Sequence, residues 1–138
     1  MIIVSACLAG IECKWNGKAA PCEQIIELVK AKEAIPVCPE QLGGLSTPRP
    51  PCEQKGAKVF SKDGKDFTLE FEKGADEALK IAKQFSCKKA ILKHKSPSCG
   101  CGKVYNGTFS DKLIEGDGVT AKLFKENGIQ VITENDLI

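Results

Sequence analysis

The amino-acid sequence predicts a three-layer α/β fold, in which helices cover both faces of a mainly parallel sheet. Two observations lead to this prediction. Short apolar runs rich in β-branched residues are typical of buried strands, and stretches with helical periodicity alternate with them along the chain. The 138 residues, with 42% hydrophobic and 28% charged side chains, match an ordinary folded domain rather than a disordered chain. We therefore predict a single domain over residues 1–138.

The first part of the chain is predicted to form two strands with a helix between them. Residues 2–6 and 34–38 are the two apolar runs, and Pro39 ends the second. Pro21 opens the helix at a first-turn position, where a missing N–H is tolerated. A loop rich in glycine and proline follows at residues 41–51.

A small hairpin and the longest helix are predicted next. Asp63-Gly64 between apolar residues is a typical hairpin turn, so we expect a β-excursion over residues 58–68. Apolar residues then recur at three- and four-residue intervals from Phe71 to Phe85, which predicts a helix over about residues 69–85.

The last part of the chain is predicted to complete the sheet. Residues 89–93 and 130–133 are the third and fourth buried strands. A loop at residues 96–118 follows the third strand, and Asp117 is expected to cap a helix that Gly128 ends.

Charge and hydropathy exclude several classes of partner. The 20 basic and 18 acidic side chains are interleaved and leave a net charge of +2, so we expect neither nucleic-acid binding nor attachment to a membrane surface. The apolar N-terminal run is too short for a signal peptide or a membrane span. We expect a cytoplasmic protein, and nothing in the sequence requires an obligate protein partner.

Three of the eight cysteines lie within a few residues of the ends of predicted strands. Cys7, Cys38 and Cys99 lie at the carboxyl ends of the first three strands, which is where parallel α/β sheets bind ligands. In a reducing compartment, thiols placed in this way indicate a metal site or redox-active cysteines. Single cysteines are also common as small buried residues, and we interpret Cys22 and Cys87 in that way.

Thiolates without histidine suit an iron–sulfur cluster at least as well as zinc. The chain has no C-x-x-C pair, and its one histidine, His94, stands between two lysines at a predicted surface position. Whether there are three or four ligands stays open, with Cys13 and Cys101 as candidates for the fourth. Three ligands would leave one iron free to act as a Lewis acid.

A few other side chains near these strand ends suit catalysis or binding. Glu40 is placed to act as a general base, and Ser96 to move a proton, although surface and turn roles are equally typical of them. Arg49 is either a clamp for an anionic or carbonyl-bearing ligand or a solvated side chain. Trp15 and Tyr105 either stack on a planar substrate or anchor their loops.

Several sequence blocks resemble one known family. They include SACLAG at residues 5–10, VCPEQLGGL at 37–45, TPRPP at 47–51 and SPSCG at 96–100. Together they are similar to the bacterial domain of unknown function 523 family, whose characterised members are thiouracil desulfidases. The resemblance extends from Ile3 to about Val131.

The resemblance implies a Rossmann-like domain that holds a [4Fe-4S] cluster on Cys7, Cys38 and Cys99. It further implies one open iron that takes the sulfur of a small thiolated substrate, with Glu40 and Ser96 as the acid–base groups. The expected reaction is a non-redox desulfuration of a thiocarbonyl compound such as a thiolated nucleobase. The family's Arg-Tyr-Asp-Gly block reads Lys-Trp-Asn-Gly at residues 14–17, so its substrate contacts are not carried over.

Two other functions remain open at the level of sequence. Four cysteines saturating a cluster or a zinc ion would make the protein a structural or interaction module. Thiols without a metal would instead serve redox or sulfur-carrier chemistry.

Overall fold

The computed structural model of the chain describes residues 1–137. Its strands, in chain order, are β1 (Ile2–Ser5), β2 (Ala34–Val37), β3 (Cys52–Lys55), β4 (Lys58–Ser61), β5 (Lys89–Leu92), β6 (Lys103–Tyr105), β7 (Leu113–Glu115) and β8 (Gln130–Thr133). The helices are α1 (Glu23–Lys30), α2 (Pro39–Leu42), α3 (Thr68–Gln84) and α4 (Val119–Glu126), with 3-10 turns at Ala6–Ala9 and Glu134–Asp136.

Four strands form one parallel sheet in the order β2-β1-β5-β8. Side chains of successive residues alternate between its faces. Ile3, Ala90 and Leu92 pack into one apolar core with α3 and α4, while Val4 and Ile91 pack into a second core with α1. Helices thus cover both faces, and the predicted three-layer α/β fold is confirmed.

The strand order places a crevice at the carboxyl end of β1. From β1 the chain continues to β2 on one side of β1. From β5, which lies on the other side of β1, it continues outward to β8. The loops that leave β1 and β5 therefore diverge to opposite sides, and in open α/β sheets this divergence creates the ligand-binding crevice.

The first hairpin differs from the prediction in its turn. β3 and β4 pair antiparallel around Gly56, which has a φ of 63°, so the pairing begins before residue 58. Asp63-Gly64 does form a tight turn after β4, and beyond it only Asp66 makes a bridge back to Phe60. The chain leaves the β3–β4 hairpin after Asp66 because the Asp66 carboxylate accepts a hydrogen bond from the Thr68 N–H, at the start of α3.

The prediction of a loop over the whole of residues 96–118 is wrong, because β6 and β7 form a second antiparallel hairpin there. Each strand has three residues, and all three of β7 are exposed. Strands this short, with one of them outside the core, produce no apolar alternation that a sequence pattern can reveal.

Asp117 does not cap α4 as predicted. Gly118 is the N-cap, and the carbonyls of Pro97 and Ser98 accept hydrogen bonds from the N–H groups of Val119 and Thr120 at 2.9 and 2.8 Å. A Cβ at Gly118 would lie 2.4 Å from the Ser98 carbonyl oxygen. The loop that carries Cys99 is thus fixed to the start of α4.

Two glycines allow α2 to touch α3. A Cβ on Gly43 would lie 1.9 Å from the Glu70 carbonyl oxygen, and one on Gly74 would lie 1.9 Å from the Pro39 carbonyl oxygen. The backbone after Cys38, including Glu40, is held in place by this contact. The sequence had predicted residues 41–51 as a loop, and α2 is too short for periodicity to reveal.

In the described part of the chain, no helix combines the length and the apolar character that crossing a membrane requires.

Gly74→Ala tests the contact between α2 and α3. Alanine raises helix propensity by about 1 kcal/mol over glycine, whereas overpacking typically destabilises by roughly 1–3 kcal/mol, and here the obstacle is backbone. We expect a lower free energy of unfolding, measured in urea. Asp76→Ala on the exposed side of the same helix is the control and should leave stability nearly unchanged. A stabilised Gly74→Ala variant would show that the contact is loose.

Candidate active site at the carboxyl edge of the sheet

One cavity of about 320 Å³ opens at the carboxyl edge of the sheet. We call it the strand-end cavity, and it is lined by Ser5, Ala6, Cys7, Cys13, Lys14, Trp15, Val37, Cys38, Pro39, Glu40, Arg49, Lys93, His94, Lys95, Ser96, Pro97, Cys99 and Tyr105. These residues lie at the carboxyl ends of β1, β2 and β5 or on the loops beside them, except Tyr105, which lies in β6. The cavity therefore occupies the crevice that the strand order creates.

The three cysteines singled out from the sequence all line this cavity. Cys7 lies in the 3-10 turn after β1, Cys38 is the N-cap of α2, and Cys99 follows β5 in the loop held by α4. Cys7 and Cys99 are buried, and Cys38 is partly buried. Three separate strand ends thus bring one thiol each to a common space.

Of the two further candidates, only Cys13 lines the cavity. Its buried thiol is hydrogen-bonded to Cys38, which lowers its pKa, but hydrogen bonding to Cys7 and burial together raise that pKa to about 11. Cys101 packs instead against the core that contains α3 and α4, where its Sγ donates to the Val131 carbonyl at 3.6 Å.

Burial raises the pKa values of Cys38 and Cys99 and so keeps these two thiols neutral in the metal-free protein. It raises the pKa of Cys99 to about 12, although hydrogen bonds from Ser5 and Ser98 partly oppose it. The pKa of Cys38 is raised as well, by its hydrogen bond to Cys13 and then by burial. Metal binding at these sulfurs must therefore displace protons.

Glu40 forms a buried ion pair with Arg49. The Arg49 Nε donates to Glu40 Oε1 at 2.9 Å, and the two side chains are 4% and 16% exposed. Among residues 1–137, Oε2 of Glu40 has no hydrogen-bond partner. Every buried side-chain oxygen in those residues has a partner, so Oε2 must be exposed to solvent. One oxygen is thus fixed while the other is free to contact a ligand.

Arg49 is fully engaged by the protein itself. Its two Nη atoms donate to the Ser46 carbonyl, the Thr47 hydroxyl and the Cys13 carbonyl at 2.8–3.1 Å. Nη2 also lies 4.0 Å from the sulfur of Cys38. The sequence left two roles open for Arg49, a ligand clamp and a solvated side chain. The solvated side chain is wrong, because Arg49 is buried and its donors hold the walls of the cavity together.

The Ser96 hydroxyl acts locally on the loop that carries Cys99. Its Oγ accepts hydrogen bonds from the backbone N–H groups of Ser98 and Cys99 at 3.1 and 3.0 Å. With its lone pairs used in this way, the hydroxyl is left to donate its proton. Ser96 lines the cavity, so that proton is available to a ligand there.

Several residues of the site were not singled out from the sequence. Ser5 accepts the Lys93 N–H at 2.9 Å, which joins the ends of β1 and β5. His94, predicted at a surface position, is half-buried: it lines the cavity and contacts Glu134 after β8. Lone serine and glutamate residues give no sequence signal, because their partners are distant along the chain.

Trp15 and Tyr105 both line the cavity. Trp15 is exposed, and its backbone carbonyl accepts the Arg49 N–H at 2.8 Å. Tyr105 belongs to β6, so the hairpin missed in the sequence supplies part of the wall. Both side chains are available for stacking on a planar ligand.

The residues present fit a cysteine-bound cluster. In most proteins the ligands of an iron–sulfur cluster are thiolates. Here three thiols on separate strand ends line a cavity large enough for a small ligand. Within residues 1–137, no three His, Cys, Asp or Glu side chains are arranged to hold a single metal ion.

Comparison with known proteins agrees with this geometry. The model of the 2-thiouracil desulfurase family matches residues 2–136. The chain belongs to the 2-thiouracil desulfurase family. The resemblance stated from the sequence blocks is thereby confirmed.

Two relatives extend the comparison. The chain is 49% identical to the uncharacterized protein YbbK of Bacillus subtilis strain 168, over 99% of this chain and 97% of that protein. The solved structure of a [4Fe-4S]-dependent thiouracil desulfidase, TudS, is similar at 41% identity and a TM-score of 0.94, over 99% of this chain and 91% of that one. The fold predicted for this member of the 2-thiouracil desulfurase family is therefore supported over nearly its whole length.

Arg49→Met tests the role of the buried ion pair. It leaves the Glu40 carboxylate without its cation, and loss of one partner of a buried pair destabilises proteins by roughly 3–5 kcal/mol. We expect a loss of that order in urea unfolding, partly restored in the Arg49→Met/Glu40→Gln double variant. Lys80→Met, which breaks the exposed pair with Glu77, is the control and should change stability by less than about 1 kcal/mol. Equal losses of stability in Arg49→Met and Lys80→Met would contradict the role assigned to the buried ion pair.

Proposed function

We propose that this chain is an iron–sulfur-dependent enzyme that removes sulfur from thiolated nucleobases such as thiouracil, without net redox change. The observation that supports the proposal most strongly is the convergence of Cys7, Cys38 and Cys99 on one cavity that Glu40 and Ser96 also line. Membership of the 2-thiouracil desulfurase family and the likeness to TudS agree with it. The described cysteines are all free, which suits a cytoplasmic location.

Cys7, Cys38 and Cys99 are the proposed ligands of a [4Fe-4S] cluster. With three protein ligands, the cluster would supply one open iron, a Lewis acid for the sulfur of the substrate. Cys13 is not among the proposed ligands, although its thiol lies beside two of them. Arg49 Nη2, 4.0 Å from the Cys38 sulfur, places a positive charge next to a ligand that becomes anionic.

Glu40 is proposed as the general base. Its Oε1 is held by Arg49, so the carboxylate cannot rotate freely, and Oε2 is open to the solvent that enters the cavity. A carboxylate fixed in this way can accept a proton from a water molecule as that water attacks the thiocarbonyl carbon.

Ser96 is proposed to move a proton during departure of the sulfur. Because its Oγ accepts two backbone N–H groups, the oxygen is stabilised while its proton is transferred. Replacement of the thiocarbonyl sulfur by oxygen then consumes one water and releases one sulfide for each oxo product. No electron donor or acceptor enters this balance.

Anaerobic reconstitution tests the proposed function. After loading with iron and sulfide, the protein should convert 2-thiouracil to uracil and sulfide in equal amounts, without any reductant or oxidant. In H₂¹⁸O, the product should carry the label. Stoichiometric zinc in a colourless protein, or turnover only with an electron donor, would contradict the proposal and favour the structural or thiol-redox function.

The same preparation tests the ligand set. Cys7→Ala, Cys38→Ala and Cys99→Ala should each lose bound iron and acid-labile sulfide, because a cluster held by two thiolates is poorly retained. The Cys13→Ala/Cys101→Ala double variant is the control and should retain its cluster. Loss of the cluster in that control would show that a fourth thiol is needed.

Glu40→Gln tests the general base. General-base catalysis typically contributes roughly 10²- to 10⁴-fold to a rate, so we expect kcat for sulfide release to fall within that range. Iron content should stay the same, since glutamine retains the shape of the side chain. An unchanged rate of sulfide release would exclude Glu40 from the reaction.

A further inference from the structure

A network of three side chains joins the ends of β5 and β8 at the wall of the strand-end cavity. Glu134 Oε1 accepts the His94 N–H at 2.8 Å, and Oε2 lies 2.5 Å from His94 Nδ1 and 2.9 Å from Lys93 Nζ. Lys93 Nζ also lies 2.9 Å from His94 Nδ1. The side chains of His94 and Glu134 are 28% and 14% exposed. Neither the cysteines nor Glu40 and Ser96 take part in it.

The short contact with Glu134 fixes the proton on one ring nitrogen of His94. Two acceptors do not approach to 2.5 Å, so a proton must lie between Nδ1 and Oε2. Burial raises the pKa of Glu134, but hydrogen bonds from His94 and Lys93 outweigh it and lower that pKa, which keeps the carboxylate ionised at neutral pH. We therefore assign the proton to Nδ1, so that Lys93 donates to the carboxylate and not to the equally close Nδ1.

This assignment leaves the other ring nitrogen, Nε2, without a role in the network. The Nδ1 edge of the imidazole faces Glu134 after β8, so Nε2 faces away from that residue. His94 is also part of the cavity wall. Glu40 follows β2 and His94 follows β5, with β1 between them, so the two residues border the cavity from different sides.

We propose that His94 is a specificity-determining residue, whose Nε2 hydrogen-bonds a polar ring atom of a heterocyclic thioamide, and that Glu134 is the positioning residue that holds the imidazole for it. This inference rests on the proposed desulfuration and names a recognition contact for its substrate. With the proton on Nδ1, Nε2 accepts, so a ring N–H of the heterocycle supplies the partner, and an imidazole fixed at one nitrogen recognises it at little entropic cost.

Two substitutions at His94 separate recognition from a structural role. The side-chain amide of glutamine reaches the position of Nε2, whereas that of asparagine reaches only the position of Nδ1. If Nε2 contacts the ligand, His94→Gln retains affinity within about twofold, and His94→Asn loses about 5- to 10-fold, the typical effect of one hydrogen bond. A role limited to the contact with Glu134 predicts the reverse order.

The experiment measures binding and turnover by the reconstituted holoenzyme. Uracil, which has no sulfur to lose, is titrated calorimetrically into wild type, His94→Gln and His94→Asn, and KM and kcat are measured for 2-thiouracil. We expect His94→Asn to raise the uracil Kd and the KM by the same factor while kcat stays nearly constant. Equal Kd values in all three proteins, or the reverse order of the two variants, would overturn the inference.

Glu134→Gln tests positioning by a double-mutant cycle. In wild type it should raise the uracil Kd by several-fold, and in the His94→Asn background it should have no further effect, because the ligand contact that Glu134 supports is already lost there. Additive effects would overturn the positioning role. Urea unfolding of each variant reports any general loss of structure.

The proposed function and this inference fail in different ways. If wild type releases sulfide but the variants bind uracil equally, only the inference is overturned. If wild type releases no sulfide from 2-thiouracil, the proposed function is overturned and the inference with it.

Discussion

The buried guanidinium of Arg49 is the interaction on which the geometry of the site depends. It bonds the Glu40 carboxylate, the carbonyl of Cys13 and the loop at residues 46–47, so three separate stretches of chain meet at one side chain. An arginine cannot discharge itself by losing a proton, so once buried it must keep these partners. The position of the proposed base and the wall beside the thiols follow from that requirement. Two glycine contacts, at Gly43 and Gly74, support the same wall from the side of α3.

The sheet provides the second constraint, and the sequence predicted it well. Buried parallel strands are short, apolar and β-branched, so the patterns at residues 2–6, 34–38, 89–93 and 130–133 were sufficient to find all four. Because the carboxyl ends of parallel strands share one edge, the placement of Cys7, Cys38 and Cys99 beside one cavity could be predicted as well. The family resemblance, now confirmed by the match over residues 2–136, added the kind of cluster and the reaction.

Other parts of the site could not be predicted, since they depend on contacts between distant residues. The β6–β7 hairpin has no apolar alternation, and α4 is capped by the carbonyls of Pro97 and Ser98 rather than by the neighbouring Asp117. Likewise, the pairing of His94 with Glu134 spans 40 positions of sequence and arises only because β5 and β8 are neighbours. A pattern of residue types records such contacts only when both partners lie within the same element.

The central claim is that three strand-end thiols hold one cluster, and a crystal of anaerobically reconstituted protein tests it most directly. Anomalous-scattering maps collected on both sides of the iron absorption edge locate iron atoms independently of any assumption about the ligands. The account predicts one compact group of iron atoms in the strand-end cavity, bonded to the sulfurs of Cys7, Cys38 and Cys99 and to no fourth cysteine. Iron bonded to Cys13 as a fourth ligand, or a single metal ion at these thiols, would contradict it.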